Sequence, residues 1–89
     1  MRITARNMTG KNGNPVVNQI IISTPDAIIF QSYLTTIAIK KDGKVYLDRD
    51  AWDYSTTTGK YRNQFLNETK KETEAKIKTG EYILTDLNR

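Results

Sequence analysis

The chain contains neither cysteine nor histidine. Without thiols there is no disulfide and no thiolate nucleophile, which fits a reducing compartment. Histidine is the usual general base near neutral pH and a common metal ligand. Its absence excludes nucleophilic triads and ordinary zinc sites. Long hydrophobic runs are lacking too. Stretches such as Ile20 to Ile22 and Ile28 to Phe30 are far too short for a membrane-spanning helix or a signal peptide. The expectation is a protein that is not an enzyme, needs no cofactor or metal and has no membrane partner.

What is present fits one small folded unit. The 89 residues are 37% hydrophobic and 27% charged, a soluble globular balance, and they allow a single domain, 1–89, with one modest core. The net charge is +4. Residues 1–47 carry Arg2, Arg6, Lys11, Lys40, Lys41 and Lys44 against Asp26 and Asp42, so the whole excess sits in that half. A basic surface points to an anionic partner; edge lysines also keep sheets from aggregating, and both readings stand.

The N-terminal half has hairpin periodicity. A short strand near residues 2–8 leads into a turn in which Asn12 and Gly13 favour positive φ. Residues 16–24 are β-branched and apolar, and 27–33 form a third strand after Pro25 and Asp26. Asp42 and Gly43 make the strongest hairpin signal, between 35–41 and 44–48. Strict alternation there puts Ile37, Ile39, Val45 and Leu47 inward, with Lys40 and Tyr46 on the other face. After Asp50, read as the cap of a single helical turn, the period changes. Tyr61 and Phe65 stand four apart on a helix near 57–67. Thr69 and Glu72 form a capping box that opens a second helix over 70–79. Gly80 ends it, and residues 81–87 form a last strand. The expected fold is α+β: an antiparallel β-sheet of about five to six strands built from hairpins, two short helices packed on one face, and a C-terminal strand.

Residues 52–66 hold four of the eight aromatics, four successive hydroxyl side chains (Ser55 to Thr58), Gly59, Lys60 and Arg62. A helix N-terminus offers free N–H groups to an anion, and hydroxyls and basic side chains add to it. The Walker spacing is absent, so an ATPase is not indicated. Capping by the hydroxyls, with both basic groups solvated, is the competing account. Asp48, Asp50 and Asp53 lack the calcium-loop spacing and are read as turn and cap residues. Tyr54 is the aromatic best suited to stack on a base, whereas Trp52 and Phe65 read as core. Arg6, Tyr33, Lys40 and Tyr46 offer a second basic-aromatic surface. The candidate binding residues are therefore Arg6, Lys11, Lys40, Lys41, Lys44, Tyr54, Thr57, Thr58, Lys60 and Arg62.

Segments 8–15 (MTGKNGNP), 30–33 (FQSY), 52–55 (WDYS), 60–66 (KYRNQFL) and 71–77 (KETEAKI) together resemble a family of small bacteriophage-encoded proteins. The resemblance spans nearly the whole chain and brings no catalytic residues with it. It implies the cytoplasm of an infected bacterium and a protein that acts by binding nucleic acid, a host enzyme, or a defence complex such as a CRISPR effector.

The leading expectation is a non-catalytic accessory protein that binds nucleic acid or a host or defence nucleoprotein complex, as a host-takeover or anti-defence inhibitor. Simple DNA mimicry is disfavoured, because a mimic should be acidic. Two alternatives stay open. One is a small anionic ligand, such as a phosphorylated nucleotide, at the Ser55–Arg62 helix start. The other is a protein-interaction module that homodimerises through a sheet edge.

Overall fold

The computed structural model describes residues 2–88. Five strands follow in order: β1 (Thr4–Thr9), β2 (Pro15–Ser23), β3 (Ala27–Ser32), β4 (Thr35–Lys41) and β5 (Lys44–Asp48). Two helices come next, α1 (Thr56–Leu66) and α2 (Lys70–Lys78), then β6 (Tyr82–Thr85). The strands form one six-stranded sheet in sequence order. This is an α+β fold with a mostly antiparallel sheet.

Turn chemistry sets the hairpins. Asp42 and Gly43 both have positive φ, 54° and 74°, the backbone a two-residue hairpin turn needs to match strand twist. In the β1–β2 turn, Gly10 donates to the Asn14 carbonyl at 2.9 Å and Gly13 to the Gly10 carbonyl at 3.0 Å. The β3–β4 turn is made by Tyr33, at φ 56°, and Leu34, which is 93% exposed.

The last pair departs from the antiparallel expectation, because β6 lies parallel to β5. Parallel neighbours need a crossover of a dozen or more residues. The stretch holding both helices supplies it.

Cross-strand partners sort the two faces. Phe30 pairs with Ala38, Ala38 with Leu47 and Leu47 with Leu84. These side chains face the helices, and Phe30, Ile37, Ala38 and Leu47 are completely buried. Phe65 of α1 meets Phe30 with ring centroids 5.7 Å apart, within the favourable range for tilted aromatic pairs. Both helices cover this one face: α1 lies on β3, and α2 lies beside β6.

Strict alternation misplaced two residues of β4. The register slips between Phe30 and Gln31, opposite Ala38 and Thr36, so Ile37 is an extra, bulged residue. Bulged Ile37 and Ala38 are both buried in the core, and everything after them is inverted relative to a regular strand. Lys40 therefore pairs with Val45 on the helix side, while Ile39 pairs with Tyr46 on the opposite face. The cap of the turn after β5 is also corrected. Asp48, not Asp50, accepts from the Asp50 and Ala51 N–H groups, at 3.2 and 2.9 Å.

The helices begin where capping chemistry dictates. Ser55 caps α1 by accepting from Thr58 N at 3.1 Å. In α2, Glu72 N donates to Thr69 Oγ1 at 3.2 Å, and Thr69 N donates to Glu72 Oε1 at 3.0 Å. Thr69→Ala removes the hydroxyl half of this box and is expected to lower stability by about 1 kcal/mol. Urea unfolding followed by circular dichroism reads that loss; an unchanged midpoint would mean the box contributes nothing.

Candidate functional site

The aromatic, hydroxyl-rich segment separates into committed and open residues. Arg62 is 1% exposed. Its Nη1 donates to the Trp52 carbonyl at 2.7 Å and to Asp53 Oδ1 at 3.1 Å, and its Nη2 donates to Asn63 Oδ1 at 2.9 Å. The guanidinium also lies 5.1 Å from the Trp52 ring centroid. Thr58 is buried, sharing a 3.0 Å hydrogen bond with Ser32 of β3. Both expected ligand-binding residues are thus spent on folding the segment. Solvated basic groups were one account of Lys60 and Arg62, and only Lys60 is exposed.

A depression of about 650 Å³ does open at the start of α1, lined by Tyr54, Ser55, Thr56, Lys60 and Lys70 among others. Asp53 stands in it, paired with Arg62 at 3.1 Å and Lys70 at 2.7 Å. Burial works against the charged form of Asp53, but hydrogen bonds from Lys70 and Arg62 outweigh it and hold the carboxyl below its ordinary value. This carboxylate takes up part of the positive charge that Arg62 and Lys70 would otherwise offer a phosphate. Tyr54 is half exposed there, and Thr57 is exposed on the first turn.

The basic residues fall into two groups. Lys40, Lys41 and Lys44 line a depression of about 500 Å³ between the β2–β3 and β4–β5 turns, where Asp26 and Asp42 offset them. The second group lies along the other flank of α1. Here Arg6, Asn7, Lys40 and Gln64 border one depression of about 280 Å³. Lys11, Asn12, Asn14 and Lys60 border the next, of about 540 Å³. Lys60 and Gln64 are one helical turn apart, so the two depressions lie one after the other along α1, a basic groove in two parts. Neither lining includes a carboxylate.

Lys40 is the anchored member of this groove. Its Nζ donates to the Phe65 carbonyl at 2.8 Å and lies 4.5 Å from the Phe65 ring centroid. No basic residue of α1 itself sits in its last turn. Lys40 supplies from the sheet the positive charge that a helix C-terminus favours. The grouping of Arg6, Tyr33, Lys40 and Tyr46 does not form, because Tyr46 faces away from the helices and Tyr33 lies in a turn. Gln64 was missed by sequence reasoning; its spacing of four from Lys60 was the available signal.

Glu68 has a structural role. Glu68 accepts from Thr73 Oγ1 at 2.6 Å, Lys76 Nζ at 2.7 Å and Tyr82 Oη at 2.8 Å, tying α2 to β6. Burial pushes the Tyr82 hydroxyl above its ordinary value, and Glu68 adds to that. Among the described residues no group of three or more carboxylates is placed to hold a metal ion. No helix among them is long and apolar enough to cross a membrane.

The family model of DUF8033, a family of unknown function, matches residues 3–81. The chain belongs to DUF8033. The DUF8033 match takes in β1 to β5, both helices and the whole basic groove, and it ends one residue before β6. Comparison with curated proteins and with solved structures gives no match.

Proposed function

We propose that this DUF8033 protein is a non-catalytic binding module that takes a polyanion, nucleic acid or a nucleoprotein complex, along the groove between α1 and the β1–β2 hairpin. The observation that carries this reading is the lining of that groove: Arg6, Lys11, Lys40 and Lys60, with amide side chains between them and no carboxylate. Exposed basic groups along a track suit successive backbone phosphates, and amides add hydrogen bonds without charge. The helix start at Ser55–Arg62 is the weaker anion site, because Asp53 occupies it and Arg62 is already paired.

The likeness of residues 8–15, 30–33, 52–55, 60–66 and 71–77 to phage-encoded proteins supports a target inside an infected bacterium. A host or defence nucleoprotein is the finer form of the proposal. Recovery of a bacterial partner by the tagged protein, lost after nuclease treatment, supports it.

Salt dependence tests the groove directly. Each phosphate neutralised on duplex DNA contributes about −0.9 to the slope of log K against log salt. Arg6, Lys11 and Lys60 together give a slope near −3, or roughly fortyfold weaker binding between about 50 and 200 mM salt. Fluorescence anisotropy with labelled single-stranded and duplex oligonucleotides reads this slope. The triple variant Arg6→Ala, Lys11→Ala, Lys60→Ala is expected to flatten it to near zero while leaving the fold intact. Salt-independent binding, or binding that survives the triple variant, sinks the reading. A nucleotide-induced rise in melting temperature that is lost in Lys70→Ala would move the site to the start of α1.

A further inference from the structure

The β3–β4 turn runs against its own backbone chemistry. It lies between Ser32 and Thr35, which pair across the strands. Tyr33 holds φ at 56°, a conformation that glycine, asparagine and aspartate take readily and a bulky side chain does not. By contrast, the β4–β5 turn puts Asp42 and Gly43 at its positive-φ positions. Burial gives no compensation, since Tyr33 is 53% and Leu34 93% exposed. An aromatic and an aliphatic side chain thus stand in solvent at a backbone cost, and neither strengthens the core. Strain kept where folding gains nothing from it marks a surface used for contact.

This tip adjoins the basic groove. Tyr33 N donates to the Asn18 carbonyl at 2.6 Å, which sets the turn beside Val17. The β1–β2 register shifts in this part of β2, and Asn18 has φ 70°. Val17 is therefore exposed, although Gln19 and Ile21, next along β2 at alternate positions, are buried. Val17 lines the same depression as Lys11 and Lys60. Gln31 Nε2 donates to the Tyr33 carbonyl at 3.0 Å and holds the turn from within.

Cations beside an uncharged apolar and aromatic tip match a ligand that is anionic along its backbone and carries flat apolar faces beside it. A single strand of nucleic acid has that chemistry, whereas in a duplex the base faces are already stacked on one another. Taking the basic groove as the binding site proposed above, we infer that it accepts a single strand, DNA or RNA, with phosphates on Lys11 and Lys60 and unpaired bases packed on Tyr33, Leu34 and Val17. Leu34 and Val17 offer no hydrogen bond to a base edge, so binding tolerates different sequences.

Fluorescence anisotropy tests this with labelled oligomers of about 15 nucleotides, within the range of single-strand site sizes. The probes are a thymidine strand, a uridine strand and a hairpin duplex. The wild-type chain is expected to bind at least one single strand more tightly than the duplex, and the two strands separate DNA from RNA. Tyr33→Asn removes the ring and suits the positive φ, so its melting temperature should equal or exceed that of wild type. Its affinity for the single strand should nevertheless fall about five- to a hundredfold, the loss of one stacked base. Its salt slope should stay unchanged, because no phosphate contact is removed, and its affinity for the duplex should not move. Leu34→Ser, expected to lose single-strand affinity in the same direction, is the second variant should Tyr33→Asn misfold. A duplex bound as tightly as both single strands overturns the inference. So does a loss that is equal on strand and duplex. Salt-dependent binding that both variants keep in full removes the stacking tip and leaves the groove standing. No salt-dependent binding to any of the three probes removes the groove reading as well.

Discussion

Arg62→Ala is expected to lower the free energy of unfolding by about 3–5 kcal/mol, the range for breaking a buried ion pair by removing one partner. The effect is large because one side chain does several jobs at once. The guanidinium holds the Trp52 carbonyl, Asp53 and Asn63 and lies against the Trp52 ring. It thereby fixes the loop between β5 and α1 onto the helix. Truncation leaves a buried void, an unpaired carbonyl and an Asp53 held by Lys70 alone. For a domain of this size each kcal/mol moves the melting temperature by about 4–8 °C, so a drop of more than about 12 °C is expected. Arg62→Lys keeps the charge but loses the planar fork that reaches three acceptors, and should recover less than half of the loss. Lys70→Ala is the contrasting control. Its side chain is 52% exposed in its pair with Asp53, so its removal should cost far less than that of Arg62. Thermal and urea unfolding measure all three variants. An Arg62→Ala protein within about 1 kcal/mol of wild type would refute a structural role and return Arg62 to the list of ligand-binding groups.

The case of Arg62 marks where the sequence was legible and where it was not. Hairpins were readable because Asn12–Gly13 and Asp42–Gly43 carry local backbone chemistry that depends on nothing distant. The α2 start was readable for the same reason, since Thr69 and Glu72 complete their box within one turn. What could not be read was tertiary. A single extra residue at Ile37 inverted the faces of Ile39 and Lys40, and nothing local distinguishes a bulge from regular strand there. Arg62 looked like a phosphate ligand because it follows hydroxyls, a glycine and a lysine. Only the folded chain brings Asp53 and Trp52 around it.

The same logic governs the basic groove. Arg6 and Lys11 belong to β1 and its turn, Lys40 to β4 and Lys60 to α1. In sequence they are scattered over 55 positions. The halves-of-the-chain charge count pointed to the N-terminal hairpins, and three of the four groove residues do come from there. The fourth, Lys60, joins them only because α1 packs across the sheet beside the β1–β2 hairpin. Sequence composition therefore indicated a basic surface, while its location on one flank of α1 is a property of packing.

Acid is expected to unfold the protein through Asp48 before it disturbs the hydrophobic core. Asp48 is 4% exposed. Its Oδ2 accepts from Asp50 N and Ala51 N, and its Oδ1 accepts from Leu87 N at 2.9 Å. Just beyond, Asn88 closes the sheet end by accepting from Thr36 N at 2.7 Å and donating to the Thr36 carbonyl at 3.0 Å. Asp48 thus ties the turn after β5 and the segment after β6 to one carboxylate. Burial opposes its charge, but hydrogen bonds from Leu87, Asn88, Ala51 and Asp50 outweigh burial and hold it below its ordinary value of 3.8. Glu68 is likewise depressed below 4.5: burial opposes its charge, and bonds from Lys76, Thr73 and Tyr82 prevail. A carboxyl depressed in the folded state contributes stability that is present above its unfolded value and lost as pH falls through the folded one. Stability should therefore hold above about pH 5 and fall steeply towards pH 2. Asp48→Ala, which leaves three backbone N–H groups without their acceptor, should cost about 3 kcal/mol at neutral pH. Asp48→Asn keeps the shape and one acceptor, so it should cost less and flatten the acid limb of the profile. Urea unfolding at a series of pH values distinguishes charge from shape. Equal slopes for wild type and Asp48→Asn would mean that the carboxylate acts only as a spacer, and that the acid sensitivity resides in Glu68 and Asp53.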